Sequence, residues 1–520
     1  MRASVLSDWL AQRLDRGNGQ PIYRQLHRLL QQAILTRELP AGSKVPSSRL
    51  LANELGIARN TVTQVYEQLA LEGYVLSTTG RGTFVADTSP DEIVGSTDAQ
   101  GLSATDASPV QQLQRASAPQ PSKPLLQTQQ PAARALSQRG FRLVAGAGVS
   151  KRQWGAFMPG VPDVTRFPAR VWSRLHNKYW RRLRPDLLTY APGGGLSLLR
   201  HALADYLRTS RSVRCTPEQI IVTTGIHQSV DLAVRLLSDP GDVIWTEDPC
   251  YWGVRSVMHV SGLKSRPIAV DDEGINPSPD DLAHPPKLML VTPSHQYPLG
   301  MVMSLARRRM LLEYARQNQC WIIEDDYDSE YRYGSRPLAS LQGLDTAGQV
   351  IYVGSFGKTL FPGLRIGYLV VPEALAESFA TASAELYREG QLLQQAMLAE
   401  FIAEGHFTSH IRKMRTLYGQ RRSTLLDAAA RRYGDALPAV GGDAGLHLVM
   451  QLPEGTDDRA VAAAALERNI VVRPLSGYYA EPSRAQSGLL IGYACVPDEE
   501  IAPAFDTLAD AIDTTLPLFA

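Results

Sequence analysis

The chain has 520 residues, 44% apolar and 20% charged, with a net charge of +1. That length calls for about two to four domains with a sizeable core, and the charge balance excludes a polycation held to nucleic acid along its whole length. No run approaches the roughly 18 apolar residues of a membrane span, and Met1 to Trp9 lacks the apolar core of a signal peptide, so a cytoplasmic protein without membrane contact is expected.

In chain order, Pro21 starts a helix whose apolar face runs Ile22, Leu26, Leu29, Leu30 and Ala33. A second helix covers Ser48 to Leu55 and stops at Gly56. After a short turn, Arg59 to Leu69 places Val62, Val65, Tyr66 and Leu69 inward. Two short helices joined by a glycine turn form a helix-turn-helix. The polar start of its second helix, Arg59, Asn60, Thr61 and Thr63, would face the major groove. Thr79 to Val85 reads as a β-hairpin tip, a wing that lays Arg81 and the Gly82 backbone near phosphate. Up to Ala86 there are ten Lys/Arg against six Asp/Glu, an excess that suits a DNA-facing module. Helix pattern alone suits a small dimerisation bundle equally well.

From about Asp87 to Ser150 the sequence turns to Ser, Thr, Ala, Gln and Pro, which reads as a flexible, partly extended linker. Beyond Trp154 short apolar strands alternate with helical segments, the pattern of an α/β domain. The strands are expected at 220–222, 243–245, 288–291, 321–323 and 351–353, and chemically loaded residues follow each one, where open α/β sheets place their sites. Four cysteines, Cys215, Cys250, Cys320 and Cys495, show no metal-ligand spacing and read as reduced thiols; no metal is expected.

Lys358 follows the run Val350 to Val353 and is one of eight lysines among 53 basic residues. A lysine attacks an aldehyde only as its free amine. The small residues around it, the Ser355 hydroxyl and the Arg365 guanidinium suit a phosphorylated aldehyde, pyridoxal 5'-phosphate (PLP). Asp325, after another strand, would keep the pyridine nitrogen protonated, with Tyr327 near the ring hydroxyl. Thr223 to Gln228 lies between a strand and a helix expected to begin near Ser229, and backbone amides there suit a phosphate. Tyr251 would stack on the ring, and Tyr190 is a further phosphate contact.

The segments Pro46-Ser47-Ser48-Arg49 and Arg59-Asn60-Thr61-Val62, with the glycine wing, resemble the GntR-type winged helix over most of residues 20–86. DNA-facing residues are then Ser48, Arg49, Arg59, Asn60, Thr61, Thr63, Arg81 and Gly82. From Phe157 onward the chain resembles the fold-type I aminotransferases, and as a whole the MocR-type (GabR-like) regulators. Glu324 to Tyr333 and Thr292 to Gly300 carry that likeness most closely. The resemblance implies a multidomain protein: an α-helical winged helix-turn-helix over 1–86, a linker over 87–150 and an α/β PLP-dependent transferase-like domain over 151–520. It implies Lys358 as the Schiff-base lysine, with Thr224, Gly225, Ile226, Ser355 and Arg365 around the phosphate. It further implies a homodimer in which Tyr190 reaches the neighbouring subunit's phosphate.

Two positions depart from the enzymes. Tyr297 stands where they carry an asparagine near the ring hydroxyl, so that His295, Gln296 or nothing substitutes. Leu490 stands where they place the arginine that grips a substrate carboxylate, and Arg473 is the replacement anion contact. The expected function is a transcriptional regulator that binds a double-stranded DNA operator and senses PLP, or an amine or amino-acid effector, through aldimine formation. The alternative is a working aminotransferase that carries a DNA-binding domain.

Overall fold

The computed structural model describes residues 3–78 apart from 16 and 18, residues 82–86 and 136–145, and residues 152–516 apart from 183, 192, 334–338, 389 and 442. The described residues form two compact units, one within 1–121 and one within 122–520. The division falls inside the expected linker. Near the linker's end, however, Gln138–Ala145 is helical and lies against the helix Trp252–Ser261. That stretch lacks the prolines that interrupt the sequence before it, and so it can form a helix.

In the first unit, α1 (Ala3–Arg13) and α2 (Ile22–Leu35) precede α3 (Ser48–Leu55) and α4 (Arg59–Leu71). Gly56 ends α3 in the left-handed region, at φ 62°, where a residue with a Cβ is strained. That turn lets Leu51, Leu55, Val62, Val65 and Leu69 close on Leu26 and Leu30 in one buried cluster. The Tyr66 hydroxyl donates to the Pro46 carbonyl at 2.9 Å and pins the chain just before α3. Strands β1 (Val75–Thr78) and β2 (Gly82–Val85) pair antiparallel as the wing. Residues 42–45 run along the wing's other edge through Val45 N–H to the Thr83 carbonyl, 3.0 Å, and Val85 N–H to the Ser43 carbonyl, 2.8 Å.

The second unit is built on an eight-stranded sheet. Its strands are β3 (Ile220–Thr223), β4 (Val243–Asp248), β5 (Lys264–Asp271), β6 (Gly274–Ile275), β7 (Leu288–Val291), β8 (Trp321–Asp326), β9 (Val350–Ser355) and β10 (Gly367–Val370), in the order β3-β10-β9-β8-β7-β4-β5-β6. β4, β5, β7, β8 and β9 are mutually parallel. β10 is antiparallel to both β3 and β9, so β3 points the same way as the parallel set. The five expected strands are all present, and their unbroken apolar runs reflect burial on both faces. Their carboxyl ends gather the chemically loaded residues along one edge.

A smaller antiparallel sheet, β11 (Ala439–Val440), β12 (His447–Gln451), β13 (Arg473–Pro474) and β14 (Gly488–Gly492), was not expected as a separate layer. In it Arg473 pairs with Leu490. The long helix His406–Tyr433 is fixed to the start of the unit by Arg421, whose Nη1 lies 2.9 Å from Asp163 Oδ2 and 2.5 Å from the Ala494 carbonyl.

Candidate functional site

Lys358 sits three residues past the end of β9. Its Nζ donates to the Gly160 carbonyl at 2.6 Å. Gly160 has φ 70°, and a Cβ there would fall 2.8 Å from Nζ, so the lysine's close approach requires glycine. Burial lowers the Lys358 pKa from its usual range, opposed by the carboxylates of Asp328 and Asp325. The free amine is thereby favoured.

Side chains alternate along the end of β8. Glu324 accepts from the Leu341 and Gln342 amides, both at 2.8 Å. Asp326 is paired with Arg211 Nε at 2.8 Å and with the Tyr352 hydroxyl at 2.5 Å. Asp325, between them, is buried and has no hydrogen-bond partner among the described residues. Burial pushes its carboxyl up to about 8, helped by Asp326 and Asp328 and opposed by Lys358. A buried acid without a partner, close to a buried amine, is a donor set suited to a cationic aromatic nitrogen.

Next to it the Tyr327 hydroxyl lies 2.8 Å from His295 Nδ1, which is also 3.0 Å from Asp328 Oδ1. His295 Nε2 is buried and unpartnered. Gln296 is occupied elsewhere, its Nε2 donating to the Pro249 carbonyl at 2.8 Å. Tyr297, at the asparagine position, is the centre of an aromatic cluster, with ring centres 5.9 Å from Tyr251, 5.5 Å from Tyr327, 5.3 Å from His447 and 5.5 Å from Tyr478. Tyr251 follows β4. Burial lifts its phenol to about 12, Tyr478 and Asp325 add to that, and Arg365 pulls the other way. It therefore stands within electrostatic reach of both the acid and the guanidinium.

The helix after β3 begins at Ile226, not near Ser229 as expected. Gly225, at φ 118°, turns the chain directly into the helix, and Ser229 pairs with the Thr223 hydroxyl at 2.8 Å from within the first turn. The Arg365 guanidinium lies 4.0 Å from where a Gly225 Cβ would be. Thr224 donates its N–H to Gln228 Oε1 at 2.6 Å, and Ser355 Oγ accepts from Gly357 at 3.2 Å. Thr224, His227, Gln228 and Arg365 line a cleft of about 530 Å³ that Asp231 and Gln395 also line. Tyr190 is 77% exposed and makes no ring contact or hydrogen bond with these groups in its own chain. Arg473 is half-buried, with Nη2 3.7 Å from the Met158 sulfur. Leu490 is buried against Val449, Leu475 and Tyr478.

In the first unit, Arg59 and Asn60 are exposed at the start of α4, with Thr61 and Thr63 half-buried. Arg49 and Arg59 share one cleft of about 660 Å³. Ser48, Thr63 and Gly82 share a second, of about 1030 Å³, with Lys44. Asn60 and Thr61 line neither cleft, and Arg81 lies outside the described residues. Lys44 was missed by sequence reasoning because only pairing of its segment with β2 brings it to the wing. Its Nζ lies 5.7 Å from the centre of the Phe84 ring. Asp328 and Tyr478 were likewise unassigned, since their partners are distant in sequence, and His295 was read only as one alternative near the ring hydroxyl. Among the described residues no group of three or more His, Cys, Asp or Glu is placed to hold a metal, and no helix is long and apolar enough to cross a membrane.

Known families account for both units. Residues 22–85 match the bacterial regulatory proteins of the gntR family, and residues 164–508 match the class I and II aminotransferases. The chain is 37% identical over 501 residues to the probable rhizopine catabolism regulatory protein MocR of Rhizobium meliloti, covering 96% of this chain and 95% of that protein. It is 30% identical over 488 residues to the pyridoxine biosynthesis transcriptional regulator PdxR of Corynebacterium glutamicum, covering 94% of each. Among solved structures, the Thermus thermophilus α-aminoadipate aminotransferase LysN, complexed with N-(5'-phosphopyridoxyl)-L-leucine, matches with a TM-score of 0.64 at 26% identity, over 74% of this chain and 97% of that one. An archaeal alanine:glyoxylate aminotransferase matches with a TM-score of 0.67 at 25% identity, over 74% and 99%.

Proposed function

Because the chain belongs to the MocR-type transcriptional regulators, a GntR helix-turn-helix joined to a class I and II aminotransferase domain, we propose that its large domain holds PLP and that operator binding answers to PLP or to an amine or amino acid that reacts with it. The observation that carries this reading is the buried pair of Lys358, with its lowered pKa, and Asp325, with no partner of its own. When bound, PLP supplies an aldehyde that condenses with primary amines and a protonated ring that withdraws electrons.

The chain's own groups divide the work. Lys358 would hold the cofactor through its amine, and Asp325 would accept from the ring nitrogen. Tyr251 would lie over the ring face, and Tyr327, whose hydroxyl is 2.8 Å from His295 Nδ1, would serve the ring hydroxyl. Arg365, Ser355 and the Thr224, Gly225 and Ile226 turn hold the phosphate, where a helix N-terminus favours negative charge. Tyr190, exposed in its own chain, completes the neighbouring subunit's phosphate site in a homodimer. Arg59, Asn60, Thr61 and Thr63 meet base edges and backbone in the major groove, while Ser48, Arg49, Arg81 and Gly82 meet phosphates. Residues 87–150 connect the two functions, and the protein works in the cytoplasm.

Catalytic turnover is the second reading, favoured by the complete Lys358–Asp325 pair and disfavoured by Leu490. The cofactor reading is tested by adding PLP to wild type and to Lys358→Ala. The wild type should gain a visible absorbance band and a borohydride-fixed pyridoxyl group at Lys358. The variant should gain neither, and a fixed group at another lysine rejects the assignment.

A further inference from the structure

Two stretches of the second unit hold cations and no acid. Residues 164–184 contain seven Lys/Arg and residues 405–426 contain five, with no Asp or Glu in either. Most of each stretch is helical, within Ala169–Arg181 and His406–Tyr433.

Helical spacing decides where those charges go. In the first helix Leu175 is buried, while Arg170, Arg174 and Arg181, at i, i+4 and i+11, share one exposed face. In the second, Phe407, Ile411, Met414 and Tyr418 are buried, which turns Arg412, Lys413 and Arg415 outward. The two helices meet side by side. Arg174 Nη2 lies 3.1 Å from His406 Nε2, and the Phe167 ring centre lies 6.3 Å from that of His410. Arg170 stands three residues past Phe167 and Lys413 three past His410, so the stripe of one helix runs on to the other. Past Arg412, Arg415 and Arg332 line a cleft of about 350 Å³ with Thr416, Gln420 and Ser423. Arg415 Nε donates to the Glu330 carbonyl at 2.8 Å and Arg332 Nη1 to the Ser294 carbonyl at 3.2 Å, contacts that position a guanidinium and leave its charge.

Glu404 pairs with Arg174 at 3.4 Å. Arg170, Arg181, Arg412 and Lys413 take part in no ion pair among the described residues. Like charges collected on one face repel, and a polyanion that covers them gains by releasing its counter-ions. From Arg170 to Arg181 is about 17 Å of helix, over which a duplex carries about ten phosphate charges. Between the cations lie Ser173, Asn177, Thr416 and Gln420, all exposed and of the kind that bond phosphate oxygens. The first unit already brings the chain to duplex DNA, so a duplex is the polyanion at hand.

We infer that this face of the second unit is a second DNA contact, one that holds the duplex by its phosphates and reads no sequence. The inference is independent of the cofactor reading. Its test takes the full-length protein and two duplexes built on one selected operator, a minimal one and one extended by about three helical turns on each side. Affinity is read by fluorescence anisotropy across a salt series. The wild type should bind the extended duplex at least about fivefold more tightly, with a steeper slope of log affinity against log salt. Arg170→Gln, Arg412→Gln and Lys413→Gln together should flatten that slope by about two to three and leave binding of the minimal duplex unchanged. Arg170→Lys with Arg412→Lys should keep the wild-type slope, because attraction to phosphate needs the charge and not the planar fork. Equal wild-type affinity for the two duplexes overturns the inference whatever the variants do, and so does a glutamine variant with the wild-type slope. Tighter wild-type binding to phosphatidylserine vesicles than to the extended duplex overturns it in favour of a membrane surface.

Discussion

Burial works on Lys358 and Asp325 in opposite directions, lowering the one pKa and raising the other, so each is shifted toward its neutral form before any ligand arrives. For Asp325 this has a consequence for stability. Its native carboxyl titrates at about 8, against ~3.9 in an unfolded chain. Between those values the native state keeps a proton that the unfolded state has lost, so the group's stabilising contribution is full below pH ~4 and is lost as pH rises toward 8. Asp325→Asn removes that titration. Thermal denaturation of the cofactor-free variant should show a shallower loss of Tm between pH ~5 and ~8 than the wild type, while affinity for PLP falls at least about tenfold. Parallel Tm profiles in the two proteins would contradict the buried, unpartnered acid. Leu490 bears on turnover. Transamination needs the Cα–H bond of the substrate set perpendicular to the ring and a base to move its proton. Lys358 can be that base, but Leu490 cannot set the orientation. Keto-acid formation from common α-amino acids should therefore stay well below about 1 per second, as measured by coupled product assay. Faster formation favours the enzyme reading.

The helix-turn-helix and its wing are assembled by different kinds of contact. Helix α4 is held by local apolar packing, whereas the wing is a sheet completed by residues 42–45 from before α3. Lys44 is therefore placed on the wing by pairing, beside Gly82. Arg59→Ala should weaken binding to a specific duplex by about 1 to 3 kcal/mol. Lys44→Met should weaken binding to all duplexes alike and reduce the slope of log affinity against log salt by about one contact. Both are read by fluorescence anisotropy across a salt series, and an unchanged slope for Lys44→Met removes it from the interface. The same contrast explains what was legible in the sequence. Helices closed by Gly56 and strands with unbroken apolar runs, such as Leu288–Val291, declare themselves within a few residues. The smaller sheet does not, because β11 and β13 are two residues each and gain their identity only from β12 and β14. Lys358, Asp325 and the Gly225 turn sit at strand ends and could be read there. His295 with Asp328, and Arg473 with Met158, meet only after distant segments pack. The helix start at Ile226 was read three residues late because glycine's conformation, not a side-chain cap, sets it.

At the scale of the molecule, the proposed amine-sensing site lies in one compact unit and the helix-turn-helix in the other. A ligand changes operator affinity only as far as it binds one state of the protein more tightly than the other. In the proposed reading, such a difference would arise at Lys358, whose amine donates to the Gly160 carbonyl in the free protein. A second copy of the chain would supply Tyr190 to each phosphate site, which joins occupancy of the site to the pairing of two DNA-binding units. The most direct measurement is operator affinity by fluorescence anisotropy, using a duplex that the protein itself selects from random sequence. PLP-loaded wild type and Lys358→Ala are each titrated with and without a saturating carboxylate-bearing amine. The amine should shift the wild-type midpoint by about fivefold or more and leave that of Lys358→Ala in place. A wild-type midpoint that moves with neither PLP nor amine, or an equal shift in Lys358→Ala, would contradict a regulator that senses through this lysine.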